Sequence, residues 1–274
     1  MAMHGIDVRS DVVIKRFRSV DRDQPRREWR ALELLDRYAP GLAPAPVSAD
    51  LDADPPTVVM SRLRGEPVRG PITGRLADAI AEAVTRVQRA LPQSVLRRLP
   101  ARADQAVELL QQVRSSVASA VGGPTVTDRD PTVPGRDPMV ADGDPVVADA
   151  LRQAAKWAAQ QGLEELLARP ATPVFGTGDG NLANYLWDGT GIRVLDFEYS
   201  GRSDLAFELA EVVEHISVWR NDVRGLTAVL ERLGPAAGEG GRLTECRRLL
   251  ALYWLLRIRG ETRAGQAERM LALL

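Results

Sequence analysis

The spacing of apolar and polar positions changes several times along the chain, and each change marks an element. Val12, Val13 and Ile14 open a β-type run over Asp11–Phe17 that carries Lys15 in its middle. Pro25 starts a helical pattern with Trp29, Leu32, Leu34 and Leu35, and Pro40, Gly41, Pro44 and Pro46 end it. Two further β-type runs follow at Val47–Leu51 and Thr57–Arg62. Leu63-Arg64-Gly65-Glu66-Pro67 then interrupts the pattern and reads as a hinge.

From residue 74 the period is helical, with Leu76, Ile80, Ala83, Val84, Val87 and Leu91 on one face. A second helix is expected over Ala103–Ala120. Val121–Val147 is rich in Gly, Pro and Asp and lacks the apolar surface that offsets ordering entropy, so it reads as a flexible insertion. Helix resumes over Val147–Ala168, and Pro173-Val174-Phe175 is a brief β piece. A polar, glycine-rich loop, Gly176–Asn184, leads into a β-hairpin. Its arms are Tyr185–Trp187 and Ile192–Leu195, around Asp188-Gly189-Thr190-Gly191. Ser203 is placed to cap a helix over Asp204–Trp219, and the remainder is helical with breaks at Gly234–Gly241 and near Gly260. These elements predict an α+β fold of two lobes: a small, partly β lobe over 1–64 and a larger helical lobe over 65–274.

Composition narrows the function. With 274 residues, 45% of them hydrophobic, the chain can bury a core without disulfides or metal staples. Lys and Arg total 36 against 37 Asp and Glu, which argues against a nucleic-acid partner, whose grip needs an excess of cations. One cysteine, Cys246, and two histidines, His4 and His215, exclude a disulfide framework and a Cys/His metal centre. His215 falls on a helix and reads as a packed or surface residue. The first nine residues carry no apolar signal region, and Leu249–Leu256 is too short to span a bilayer, so a cytoplasmic protein without a membrane partner is expected. Among the 36 basic residues only Lys15 and Lys156 are lysines. Where arginine has replaced lysine almost everywhere, a lysine kept in mid-strand points to chemistry.

The hairpin gathers oxygen ligands. Asp179 and Asn184 stand just before its first arm, and Asp196 and Glu198 just after its second. Folding the hairpin brings both ends together. Hard oxygen donors converging in this way suit Mg²⁺, which leaves part of its shell to waters and phosphates. A carboxylate beside it can aim a hydroxyl, and metal plus aimed hydroxyl is what phosphoryl transfer requires.

On these residues the chain resembles the aminoglycoside phosphotransferase family of the protein-kinase-like superfamily. Asp179-x-x-x-x-Asn184, a short hairpin and Asp196-Phe197-Glu198 look like its catalytic core. The segment Gly201–Ala210 is similar to its downstream Gly-x-Gly-Asp-Pro-x-x-Asp-Leu-Ala. Val12–Lys15 resembles the strand bearing the nucleotide-phosphate lysine, Arg27-Glu28 fits its partner glutamate, and Val59–Pro67 resembles the inter-lobe hinge. The resemblance implies an ATP- and Mg²⁺-dependent kinase acting on a hydroxyl of a small polar molecule, such as an aminoglycoside, a sugar or an amino alcohol. It implies Asp179 as the group that aligns the substrate hydroxyl. Asn184 and Asp196 become the metal ligands, Lys15 with Glu28 the phosphate contact, and the main chain about Met60, Arg62 and Leu63 the adenine contact.

The chain departs from the family pattern at three places. Thr177 stands where the family has histidine, and Glu208 where it has aspartate. Only Gly5 precedes Asp11 in the region expected to hold a glycine-rich phosphate loop. The missing glycine loop and Thr177 motivate an alternative, a kinase-like binding protein without turnover. Glu208, Glu211 and Glu214 could form an acidic patch for a cationic acceptor, but their i, i+3 spacing reads first as a solvated helix face.

Overall fold

A computed structural model describes residues 4–18, 21, 23–72, 74–121, 144–220, 229, 233, 240–260 and 262–274. The chain divides into two compact units. One comprises residues 1–105 and 170–243, the other 106–169 and 244–274.

The first unit opens with a four-stranded antiparallel sheet. Strands β1 (Gly5–Val8), β2 (Val12–Arg16), β3 (Pro46–Asp50) and β4 (Thr57–Ser61) lie in the order β1-β2-β4-β3. The three β-type runs of the sequence are β2, β3 and β4. β1 was not expected; it pairs with β2 from Gly5 opposite Arg16 to Val8 opposite Val13. Its apolar residues Ile6 and Val8 are exposed, so no core-facing alternation announces it. β4 alternates inward Val58 and Met60 with half-buried neighbours. Helix α1 (Asp23–Tyr38) covers the sheet with a stripe of Gln24, Pro25, Glu28, Ala31, Leu32 and Leu35. That stripe has helical spacing, and it includes one carboxylate at a core position.

The rest of this unit is built around two smaller sheets. β5 (Glu66–Pro67), β7 (Tyr185–Trp187) and β8 (Ile192–Val194) form one, in the order β5-β7-β8. The segment read as a hinge therefore pairs onto the hairpin, with Glu66 opposite Trp187. β6 (Pro173–Gly176) pairs with β9 (Gly201–Asp204), which the sequence did not predict. Since β9 runs to Asp204, Ser203 is not a helix cap. Asp204 caps α7 (Leu205–Glu214) instead, accepting the Phe207 N–H. The helix expected to reach Trp219 ends at Glu214, and α8 (Ile216–Arg220) follows. Helix α2 (Gly74–Gln88) packs against β6 and β8, and the short α3 (Gln93–Leu96) lies beyond it.

The second unit is helical: α4 (Ala106–Val121), α5 (Pro145–Ala158), α6 (Leu163–Ala168), most of α9 (Gly240–Arg257) and α10 (Thr262–Leu273). The single helix expected over Val147–Ala168 is two, broken where Gly162 takes a left-handed φ of +80°. Asp144 caps α5 with Pro145 in its first turn. Cys246 is fully buried beside Leu249 and Leu250, as its apolar face predicts. Arg248 is less solvated than expected, donating to Glu245 and to the Leu273 carbonyl. Most of the insertion expected at 121–147, and the break at Gly234–Gly241 up to residue 239, lie outside the described residues. No helix among the described residues is long and apolar enough to cross a membrane.

Candidate active site

The site is assembled in the first unit by three segments that are remote in sequence. β2 presents Lys15, α1 presents Glu28, and the 176–198 loop and hairpin present Asp179, Asn184, Asp196 and Glu198. Lys15 is 5% exposed and Glu28 is 1% exposed, so both are charged groups inside a core.

Lys15 Nζ lies 2.5 Å from Asp196 Oδ1, 2.7 Å from Glu198 Oε2 and 3.3 Å from Glu28 Oε2. Glu28 also accepts the Phe197 N–H at 2.8 Å, which ties the hairpin exit to α1. Arg27, the neighbour of Glu28, donates to the carbonyls of Ala101 and Ser200. Burial opposes the charge on Lys15, but the three carboxylates outweigh it and hold its pKa above the ordinary range. Glu28 is also shifted upward, mainly by burial, although Lys15 pulls the other way. The two shifts do not match a simple ion pair, in which the acid would fall. One ammonium shared among three carboxylates explains both: the cation is overcommitted and the most buried acid is undercompensated.

That imbalance leaves excess negative charge near Asp196. Ligand oxygens of Glu28, Asp196 and Glu198 lie within 4.8 Å of one another. Asp196 is the most accessible of the three, with its side chain 35% exposed, and it adopts a left-handed φ of +65°. A non-glycine residue held there is a strained position of the kind found at functional sites. The Leu195 N–H donates to the Asn184 carbonyl at 2.8 Å, so the hairpin's return arm places Asp196 beside Asn184. The Asn184 amide nitrogen donates to Asp179 Oδ2 at 3.2 Å, which leaves its Oδ1 as the atom available to a cation. A carboxylate and an amide oxygen in an undercompensated acidic cluster fit Mg²⁺.

Asp179 is anchored at both oxygens. Oδ1 accepts the Asn181 N–H at 2.9 Å and lies 3.3 Å from His215 Nε2, and Oδ2 accepts from Asn184. Burial, then repulsion by Asp196, pushes its pKa up to about 6. The glycines of this loop have steric reasons. At Gly178, φ is +77° and a Cβ would strike the Tyr199 carbonyl; at Gly180 a Cβ would strike the main chain of Glu211.

The loop rests on a buried charge pair. Arg102 Nη1 donates to Glu208 Oε1 at 2.8 Å, its Nη2 donates to the Gly178 carbonyl at 3.1 Å, and Glu208 Oε2 accepts the Thr177 N–H. Thr177, at the position expected to be histidine, closes the turn by donating from Oγ1 to the Asp179 carbonyl. Glu208 and Glu214 are buried and Glu211 is half-buried, so α7 does not present them as a solvated face. Burial pushes Glu211 up to about 7.

The structure brings Lys15, Glu28, Asp179, Asn184 and Asp196 into one network. The hinge residues lie apart from it on β4 and just beyond. Met60 is 6% exposed and faces the core. The Arg62 N–H is taken by the Asp11 carbonyl. Leu63, past the last ladder pair, is half-buried. Sequence reasoning missed His215 and Arg102. Arg102 carries no local signal, since its partners in the loop and on α7 are 76 and 106 residues away. His215 had one weak signal, being one of only two histidines.

The model of the phosphotransferase enzyme family matches residues 5–248. No curated protein sequence matches the chain. Among solved structures, a choline/ethanolamine kinase family protein from Mesorhizobium loti superposes with a TM-score of 0.63 at 16% identity, covering 100% of this chain and 85% of that one. A point mutant of aminoglycoside 2'-phosphotransferase-IIIa, solved with GDP, gives 0.61 at 16% identity, covering 96% and 83%. A thermostable aminoglycoside phosphotransferase mutant in ternary complex with ADP and hygromycin B gives 0.54 at 16% identity, covering 99% and 92%. At these identities the likeness establishes the kinase-like α+β fold.

Proposed function

The chain belongs to the phosphotransferase enzyme family, and on that premise we propose that it is an ATP-dependent kinase. It transfers the γ-phosphate to a hydroxyl of a small polar molecule such as an aminoglycoside, a sugar or an amino alcohol. One observation carries the reading. Asp179, Asn184 and Asp196 converge beside a buried Lys15–Glu28 pair, although the two halves of the site are more than 150 residues apart.

In this reading Asp179 accepts the acceptor's hydroxyl proton and aims its oxygen at the γ-phosphate. A carboxylate with a pKa near 6 is ionised at neutral pH yet more basic than a solvated aspartate. Asn184 and Asp196 would hold Mg²⁺, whose chemistry there is neutralisation of phosphate charge. Lys15 contacts the α- and β-phosphates, and Glu28 fixes its ammonium. Because Lys15 lies against Asp196, nucleotide phosphates would compete for the ammonium and free the carboxylate for the metal. The adenine edge would meet the main chain about Met60, Arg62 and Leu63. With the Arg62 amide engaged by Asp11, Leu63 is the better placed of these. Catalysis in such a site comes from positioning and electrostatics, not from a covalent intermediate.

The direct test is transfer of labelled phosphate from γ-labelled ATP to a panel of amino alcohols, sugars and aminoglycosides. Asp179→Ala should abolish transfer while retaining Mg·ATP binding. Full activity in that variant would contradict the assignment. Nucleotide binding with no transfer to any acceptor would favour the binding-protein alternative.

A further inference from the structure

We infer that His215 is a positioning residue for Asp179: its Nε2–H holds Oδ1 of the carboxylate. The inference rests on Asp179 being the group that receives the substrate proton. It adds a residue that the 179–196 motif does not contain.

The geometry fixes the ring's state. His215 follows the last residue of α7, where the chain leaves helical conformation (φ −61°, ψ +142°) before α8 begins. It is 7% exposed. The Ser217 N–H donates to Nδ1 at 3.1 Å, and Ser217 Oγ lies 2.9 Å from the same atom. An imidazole nitrogen that accepts a main-chain N–H carries no proton. Burial also drives the ring's pKa down to about 4, so the ring is neutral. Its single proton is therefore on Nε2, and Nε2 lies 3.3 Å from Asp179 Oδ1. Ser217 joins the two elements a second way, since its Oγ accepts the Leu182 N–H from the short 3₁₀ turn that carries Asn184.

A neutral donor at this position has a chemical consequence. An imidazolium would stabilise the ionised carboxylate strongly and make it a poor base. A neutral N–H fixes the orientation of Oδ1 at a smaller cost in basicity. Asn181 and Asn184 supply the other fixed donors, one to each oxygen of Asp179.

Having only two histidines makes the contact directly measurable. The full chain labelled with ¹⁵N-histidine, with His4→Gln for assignment, reports tautomer and charge by long-range ¹⁵N–¹H correlation. The expected result is a pure Nε2–H neutral ring for His215 between about pH 5 and pH 8, with its Nε2 signal moving in Asp179→Asn. An Nδ1–H tautomer, a charged ring in that range, or no response to Asp179→Asn would overturn the inference. The functional arm compares His215→Leu with His215→Gln, whose amide can donate. With Mg·ATP and water as acceptor, His215→Leu should lower kcat about tenfold or more with the nucleotide KM within about twofold, and His215→Gln should recover most of it. Equal losses in both variants, or a change confined to KM, would show a merely structural role. Failure of the wild-type chain to bind Mg·ATP would count against the kinase reading instead. The tautomer measurement would then decide the contact by itself.

Discussion

Lys15 Nζ and Asp196 Oδ1 meet at 2.5 Å across a sequence separation of 181 residues. The contact links the first sheet to the hairpin exit and makes Lys15 the common counter-ion of Asp196, Glu198 and Glu28. Replacing it by a neutral side chain of similar length would leave these carboxylates, two of them buried, without the ammonium they share. Lys15→Met should lower stability by about 3–5 kcal/mol, the usual scale for breaking one side of a buried ion pair. Adding Glu28→Gln should return part of that loss. Chemical denaturation of the two single variants and the double variant reads the coupling, and strictly additive losses would show that the pair is not coupled.

The metal-free protein should lose stability as pH rises from about 4 to about 7. Asp179 is raised from 3.8 to about 6 and Glu211 from 4.5 to about 7, both chiefly by burial. A carboxyl whose folded pKa exceeds its unfolded value binds its proton more tightly in the folded state. Its stabilisation is complete below the unfolded pKa and is lost as pH passes the folded one. Asp179→Asn removes one such group. It should raise the melting temperature near pH 8 by a few degrees, at roughly 2–4 °C per kcal/mol for a chain of this size, and flatten the decline. Thermal melts across pH in a chelator check this, and an unchanged profile in the variant would count against a raised pKa at Asp179.

Arg102 is predicted to tolerate no conservative exchange. Its guanidinium donates at once to Glu208, to the Gly178 carbonyl and to the Ala103 carbonyl. A lysine ammonium cannot reproduce that planar fork. Arg102→Lys should cost about 2–4 kcal/mol by leaving buried acceptors unpaired. Amide exchange should show the protection loss centred on residues 176–181, the loop whose Thr177 amide Glu208 holds.

Gly180→Ala should impair the loop more than Gly189→Ala impairs the hairpin turn. A Cβ at 180 collides with the Glu211 main chain, whereas at 189 it meets open space, although φ is +92° there. The expected ordering is a loss of several degrees in melting temperature for Gly180→Ala and a smaller one for Gly189→Ala. The reverse ordering would mean that the loop does not rest on α7.

The hairpin and the polar residues that flank it were legible because their signals are local. Asp188-Gly189-Thr190-Gly191 is a turn by composition, and the positions of Asp179, Asn184 and Asp196 follow once its arms pair. Lys15 was legible because of the scarcity of lysine. What stayed hidden depends on distant partners. β1 and β9 are short strands whose existence rests on β2 and β6. Asp204, not Ser203, became the cap because β9 pairing extends one residue further. Glu208 and Glu214 read as a solvated face but are buried: a carboxylate's burial depends on cations such as Arg102, which no spacing rule finds. His215 reaches Asp179 only because the chain leaves helical conformation after Glu214.

The most direct test of the central claim is calorimetric titration of ATP into the wild-type chain and into Asp196→Asn, each with and without Mg²⁺. A working phosphotransferase site predicts binding to the wild type that weakens sharply when Mg²⁺ is omitted. In Asp196→Asn that metal dependence should be lost, because the variant removes the carboxylate proposed to hold the metal, which follows β8 beside Asn184. Absence of binding to the wild type at millimolar Mg·ATP, or equal metal-dependent binding by both proteins, would contradict it.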